Sequence, residues 1–339
     1  MIDERGEPWT GSRRRLLGML ATGGTATLVG CSTGGETEAS TAESGGEAAG
    51  STDGSLSVVV SSKGYTEQLN LGYIAYELLA NNTGVSLVDE TGFGGNAAHA
   101  EAYQAGDIHA YYDYMGSLWA AHPPKHDEAD FATPDEQYEA LKSEMESEHP
   151  IRILDRADWQ NTWAVFIRED AIEGTSIETI SDLAGYVNDG NYDIRPAFGD
   201  GFRTRSDGFD ALLEYYGFEG EHVARWEAEQ EFIEAASAQA AGTAVDEGYA
   251  DLSFGYSTSA WLTTVEDIVY LDDDRSFWPF FHPVGVVHED VATDAVVSAL
   301  NKMPDAIPDA KTMQELNSHA TEVGSQQAVV DHLTANGFI

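Results

Sequence analysis

Short apolar runs alternate with stretches of helical spacing along most of this chain. Leu56 to Val60 reads as a buried strand and Thr66 to Asn81 as a helix. Val85 to Val88 is a second strand, Asn96 to Ala105 a second helix, and Ile108 to Tyr112 a third strand. The pattern resumes with a helix near Asp135 to Ser147, apolar runs at Ile151 to Leu154 and Trp159 to Ile167, and a helix start at Ser181-Asp182-Leu183. Phe209, Leu212, Leu213 and Tyr216 then fall at helical spacing, and Ala250 to Gly255 reads as a short strand running into a turn. "VEDIVYLDDDRSFWPFFHPVGVVHED" reads as a strand, an acidic turn and a second strand, and the rest of the chain is helical in pattern. Alternation of this kind predicts an α/β fold with a mainly parallel sheet.

The amino-terminal segment breaks the pattern. "SRRRLLGMLATGGTATLVGCS" has a basic cluster, Arg13 to Arg15, then an apolar stretch too short to span a bilayer comfortably, and ends at the only cysteine of the chain, Cys31. The stretch around Arg13 and Arg14 is similar to a twin-arginine export signal, and Leu28-Val29-Gly30-Cys31 is similar to a lipobox, whose cysteine becomes lipidated. The competing reading makes Cys31 an ordinary small apolar residue of a cleaved leader. Residues 1–31 are thus expected to be a signal peptide and 32–54, rich in Gly, Ser, Thr, Ala and Glu, an acidic flexible tether. The body is then expected at the cell surface, outside the cytoplasm, lipid-anchored to the cell membrane. With one cysteine in the leader, disulfides and thiolate catalysis are excluded from the body.

Charge narrows the partners. There are 59 Asp and Glu against 17 Lys and Arg, a formal net charge of -42, which argues against nucleic acid and anionic lipid. The acidity is spread over the chain and lysines are few, as in proteins of extreme halophiles, where molar salt shortens the Debye length to about 3 Å. Aromatic residues at 10% and persistent apolar periodicity argue against a disordered acidic chain.

Catalytic groupings are scarce. "GYSTS" around Ser257 lacks the second glycine of a nucleophile elbow, and "TGFGGN" at 91–96 lacks dinucleotide or Walker spacing and reads as a tight turn. His122 and His126, with Asp127, Glu128 and Asp130, sit in a proline-rich acidic loop that reads as solvated. Asp272-Asp273-Asp274 lacks the alternating ligand spacing of a calcium loop. No enzyme activity, cofactor or resident metal is expected. What is over-supplied is large rings near predicted strand ends, among them Tyr65, Tyr114, Trp163, Tyr256, Trp261 and Trp278. Open α/β sheets bind ligands at the carboxyl ends of their strands. Rings with one or two cations suit a solute carrying a quaternary ammonium and an acid, although any single ring is more often core.

The order of "SKGYTEQ", "GFGGN", "GDIHAYYDYMGS", "WQNTWAV", "RSDGFDALLEYYGF", "YADLSFGYSTS" and "LDDDRSFWPFF" resembles the osmoprotectant (glycine betaine, choline, carnitine) substrate-binding proteins of ABC transporters, and the acidity resembles their haloarchaeal members. The resemblance implies a type II periplasmic-binding-protein fold of two α/β lobes joined by two hinge crossings, lobe 1 at 55–158 plus 258–339 and lobe 2 at 159–257. It implies that Lys63, Ser117 and Arg205 hold the carboxylate of the solute, that Tyr114 and Trp163 cage its cation, and that Asn161 stands at the pocket edge. Tyr65 and Tyr256 are further candidate walls, and the family's two other ring positions fall near Gly242 and Glu266, which carry no ring. The implied partners are a small solute, an ABC permease with its ATPase subunit, and the membrane through the lipid anchor. Two alternatives stand beside this: the same fold binding another solute (an amino acid, a polyamine or an oxyanion), and a surface-anchored metallohydrolase using the histidines.

Overall fold

The computed structural model describes residues 56–121 and 131–339. The expected export signal with Arg13 and Arg14, the anchor Cys31, the tether and the His122 to Asp130 loop lie outside the described residues.

The first part of the chain runs β1 (Ser57–Ser61), α1 (Thr66–Asn82), β2 (Ser86–Glu90), α2 (Asn96–Gln104), β3 (Ala110–Tyr114), α3 (Met115–Ala121), α4 (Pro134–Glu148) and β4 (Ile151–Arg156). The second runs β5 (Trp163–Arg168), α5 (Ile180–Asn188), β6 (Pro196–Gly199), α6 (Phe209–Tyr216), α7 (Gly220–Gln230), β7 (Ile233–Ala235), α8 (Ala238–Asp246), β8 (Leu252–Tyr256) and β9 (Ile268–Leu271). The chain then returns through β10 (Pro283–His288) to α9 (Asp294–Leu300), α10 (Met303–Ala306), α11 (Ala310–Val323) and α12 (Ser325–Ala335). The expected strands and helices are present with ends shifted by a few residues, as hydrogen bonding rather than apolar content decides where a ladder stops. The glycines of 91–96 serve a turn, with Gly92 and Gly94 at φ of 79° and 64°.

Two five-stranded sheets result, ordered β2-β1-β3-β10-β4 and β7-β6-β8-β5-β9. Neither is mainly parallel. In the first, β1 pairs in parallel with β2 and β3, but β10 is antiparallel to both β3 and β4. In the second, β6 is parallel to β7 and β8, while β5 is antiparallel to β8 and β9. The two dissenting strands are the ones that have just crossed from the other sheet. Each enters from the gap, where its neighbours end, and so runs against them.

The crossings lie side by side. The Ala157 N–H donates to the Pro283 carbonyl at 2.9 Å and the Asn161 N–H to the Phe281 carbonyl at 3.1 Å, which is why Trp159 to Thr162, read as strand, form a link instead. The strand at 268–271, expected in lobe 1, belongs to the second sheet, with Val165 opposite Leu271. The return crossing therefore follows β9 rather than Ser257. Residues 257–263 nevertheless touch the other side, because Gln314 and Asn317 of α11 donate to the Ser257 and Thr258 carbonyls at 2.7 and 2.9 Å.

Each sheet has its own core. Leu71, Ile74 and Leu78, one face of α1, pack with Met313, Leu316 and Val329 of the carboxyl-terminal helices. Phe198, Phe209, Phe254 and Trp226 pack in the second core, Phe198 stacked on Phe209 at 5.0 Å. The acidic triplet is structural. Asp273 accepts from the Phe277 and Trp278 N–H groups at 2.9 and 3.1 Å and from the Tyr216 hydroxyl, and Asp274 accepts from the Ser181 N–H at 3.2 Å, at the start of α5. Asp273→Ala, which strips one acceptor from three donors, is expected to cost about 1–3 kcal/mol in chemical denaturation, with no response of the parent's melting temperature to calcium.

Candidate functional site

The carboxyl ends of β1 and β3 face those of the second sheet across a cavity of about 1010 Å³. Tyr65, Thr66 and Glu67 enter it from the first turn of α1, Tyr114 and Ser117 from the end of β3, and Asn161 and Trp163 from the first crossing. The far wall is Arg205 to Asp207, Tyr256, Thr258, Trp261 and Trp278, and Asn317 reaches in from α11.

The buried charge on this wall is Glu67, 5% exposed. One carboxylate oxygen accepts from the Tyr114 hydroxyl at 2.6 Å and from Asn161 Nδ2 at 2.9 Å, and the other from Asn317 Nδ2 at 2.9 Å. Asn317 is itself held by Asn70, whose Nδ2 donates to its Oδ1 at 2.9 Å. Among the described residues, no lysine or arginine forms an ion pair with Glu67. Burial raises its carboxyl above the ordinary value, and the side-chain donors around it oppose that rise. Burial likewise holds the Tyr114 hydroxyl well above its usual value, so Tyr114 is a donor and Glu67 its acceptor. Such a site places a buried acid on the cavity wall with neutral donors around it and, among the described residues, no paired cation.

Rings flank it. Trp163 lies 4.4 Å from Tyr256 with 30° between planes and 4.4 Å from Phe202. Tyr65 and Tyr256 are 46% and 43% exposed, so both offer ring surface to a solute. Gly242 carries no ring, but a Cβ there would stand 2.7 Å from the Trp261 indole. Trp261, edge-on to Phe166 at 5.2 Å, thus occupies the space into which a side chain at 242 would project. Glu266 lines a separate depression of about 800 Å³ beside Arg168 and Asp267, not this cavity.

The cations are placed differently from expectation. Lys63 does not line the cavity: its ammonium is buried, 2.5 Å from Asp113 Oδ1 and 5.7 Å over the Tyr114 ring. It stands at the end of β1, as anticipated, but the adjacent end of β3 supplies a carboxylate that already satisfies it. Arg205 does line the cavity, forked onto Asp207 through Nε and Nη2 at 2.6 and 2.7 Å. The structure therefore brings Tyr65, Tyr114, Ser117, Asn161, Trp163, Arg205 and Tyr256 to one cavity and leaves Lys63 outside it. Glu67 was missed because one acid among 59 gives no signal, and its burial depends on Asn317, 250 positions away.

A family profile described as the substrate-binding domain of ABC-type glycine betaine transport systems, OpuAC, matches residues 57–335. The chain belongs to the OpuAC family. Its relatives include the chemotactic signal transduction system substrate-binding protein CosB of Halobacterium salinarum, 75% identical over 283 residues, 84% of this chain and 85% of that one. The glycine betaine-binding protein YehZ of Escherichia coli is 27% identical over 289 residues, 83% of this chain and 91% of that one. The solved structure of apo YehZ shares the fold with a TM-score of 0.67 at 24% identity, over 83% of this chain and 99% of that one. A glycine betaine/carnitine/choline ABC transporter structure does so with a TM-score of 0.68 at 19% identity, over the same shares. This OpuAC-family chain has the fold of periplasmic substrate-binding proteins and is a substrate-binding component of an ABC-type transporter, which overturns the metallohydrolase alternative. No helix of the described residues is long and apolar enough to cross a membrane.

Removing one partner of a buried ion pair leaves the other charge uncompensated. Lys63→Ala is expected to cost about 3–5 kcal/mol of ligand-free stability. An unchanged melting temperature with lost solute affinity would instead return Lys63 to the carboxylate-holding role.

Proposed function

We propose that this protein captures a small quaternary-ammonium osmolyte, such as glycine betaine or choline, outside the cytoplasm and delivers it to an ABC permease. The observation that carries the reading is the buried carboxylate of Glu67, unpaired with any cation among the described residues, on the wall of a ring-lined cavity. A methylated ammonium cannot donate a strong hydrogen bond and gains from ring faces, by about 0.5–2 kcal/mol per contact, and from a nearby negative charge. Tyr65, Trp163 and Tyr256 supply the rings, while Tyr114, 3% exposed and with the Lys63 ammonium over its ring, serves as a hydroxyl donor to Glu67. An acid on the same solute would meet Arg205 and Ser117 rather than Lys63. An oxyanion without a cation is disfavoured by Glu67. An amino acid or a polyamine is the competitor that a solute screen by calorimetry separates.

Two lobes, one on each sheet, would close over the solute by bending at the paired crossings, and the closed form would be the one a permease receives. Export through the signal at Arg13 and Arg14 and lipidation at Cys31 would hold the body near the membrane of a halophilic cell; the leader motifs and the net charge of -42 support this part. A second reading follows from the 75% identity to a protein named for chemotactic signal transduction: the loaded form reports the solute to a membrane component of a chemotactic system. Loss of chemotaxis toward the solute with intact uptake in a deletion strain would favour that reading.

Glu67→Gln is expected to weaken quaternary-ammonium binding by about 10–100-fold in calorimetry, the effect of removing a charge-assisted partner from a dry site. Unchanged affinity would remove Glu67 from the site. The pH dependence follows from the raised carboxyl of Glu67. A bound cation favours the ionised form, so affinity should fall as pH drops through that raised value, above the ordinary 4.5. Without ligand the sign reverses: the folded state binds the proton more tightly than the unfolded chain, so the contribution of Glu67 to stability declines as pH rises across the same window. In Glu67→Gln both pH dependences should flatten.

A further inference from the structure

Trp163 has a neighbour that a ligand cage does not need. The guanidinium of Arg205 lies over its ring, with Cζ 5.7 Å from the centroid. Tyr256 and Phe202 pack on the same indole, each with its centroid at 4.4 Å. Trp163 lines the cavity, but the ring that would attract a solute's positive charge already has a cation of the protein's own over it. That cation can leave: the Arg205 side chain is 50% exposed, and its fork to Asp207 is an exposed pair of the kind that molar salt screens.

We propose that Arg205 is a resident occupant of the Trp163 face, exchanged for the ligand's ammonium, and that this exchange makes the cavity prefer zwitterions to cations that carry no acid. The inference rests on the quaternary-ammonium reading. A cation without an acid must push the guanidinium into solvent and offers nothing in return. A zwitterion brings its carboxylate a few bonds from its ammonium, and the displaced arginine, giving up its exposed fork to Asp207, trades the Asp207 carboxylate for the ligand's through two parallel hydrogen bonds. The protein's side of the exchange is therefore close to neutral for a zwitterion and unfavourable for a simple cation. Lys63 cannot do the same for Tyr114, because it is buried and paired with Asp113.

Calorimetry at molar salt on the folded protein and on Arg205→Ala and Arg205→Lys, each with glycine betaine and with choline, tests this. With Arg205→Ala, choline should bind roughly two- to fivefold tighter, because the competitor for the ring is gone. Glycine betaine should bind about tenfold weaker or more, because its carboxylate has lost the fork. Arg205→Lys keeps the charge without the flat fork, so choline should again tighten and glycine betaine fall between the other two proteins. The exchange is overturned if both ligands shift in the same direction, if choline is unaffected by Arg205→Ala, or if Arg205→Lys behaves as the parent. A parent that binds neither ligand refutes the quaternary-ammonium reading and this inference together, whereas a parent that binds both with parallel responses refutes the exchange alone.

Discussion

A single acidic side chain buried on the cavity wall organises this molecule. The Glu67 carboxylate is tolerated inside the protein because Tyr114, Asn161 and Asn317 all donate to it. These donors come from the end of β3, the first crossing and a helix near the carboxyl terminus, so one acid joins three separate pieces of chain that also share a core. Asn317 also donates to the Thr258 carbonyl, which extends the network to the segment leaving β8. A buried charge of this kind is a costly way to stabilise a fold. Its cost makes sense where a cationic ligand completes it.

The same economy governs the cations. Lys63 is neutralised by Asp113 and Arg205 by Asp207, while each also lies over a ring, Tyr114 and Trp163 respectively. Their accessibility separates them. The first pair is sealed below the cavity and acts as part of the scaffold; the second is half in solvent and can exchange partners. In a chain with 59 acids, a basic residue almost always finds a carboxylate, so the basic group that can serve a ligand is the one whose pair is cheap to break.

Strand and helix were legible along the chain because their periods are local: α1 begins at Thr66 as read, and Phe209 to Tyr216 is helical with its apolar positions inside. The mixed strand direction was not, since β5 and β10 carry no sign of which sheet they join; that is decided by pairing with strands more than a hundred residues away for β3 and β10. The pair "IVYL" and "PVGVVH" illustrates this, being neighbours in sequence and members of different sheets. The roles of Tyr114, Trp163 and Arg205 as cavity residues were accessible through family-like motifs, whereas Gly242 read as a lost ring until the Trp261 indole was found lying against it.

By itself, the sequence determined the alternation of elements, the two-lobed family and the cluster of rings at strand ends, because motif order and hydrophobic period survive without knowledge of contacts. The tertiary structure alone decided which charges are available. Lys63 and Glu67 are four residues apart at the same junction, and nothing local distinguishes their fates. Asp113 silences the first; the second is buried among neutral donors with no counter-ion among the described residues, and burial is a property of the whole fold.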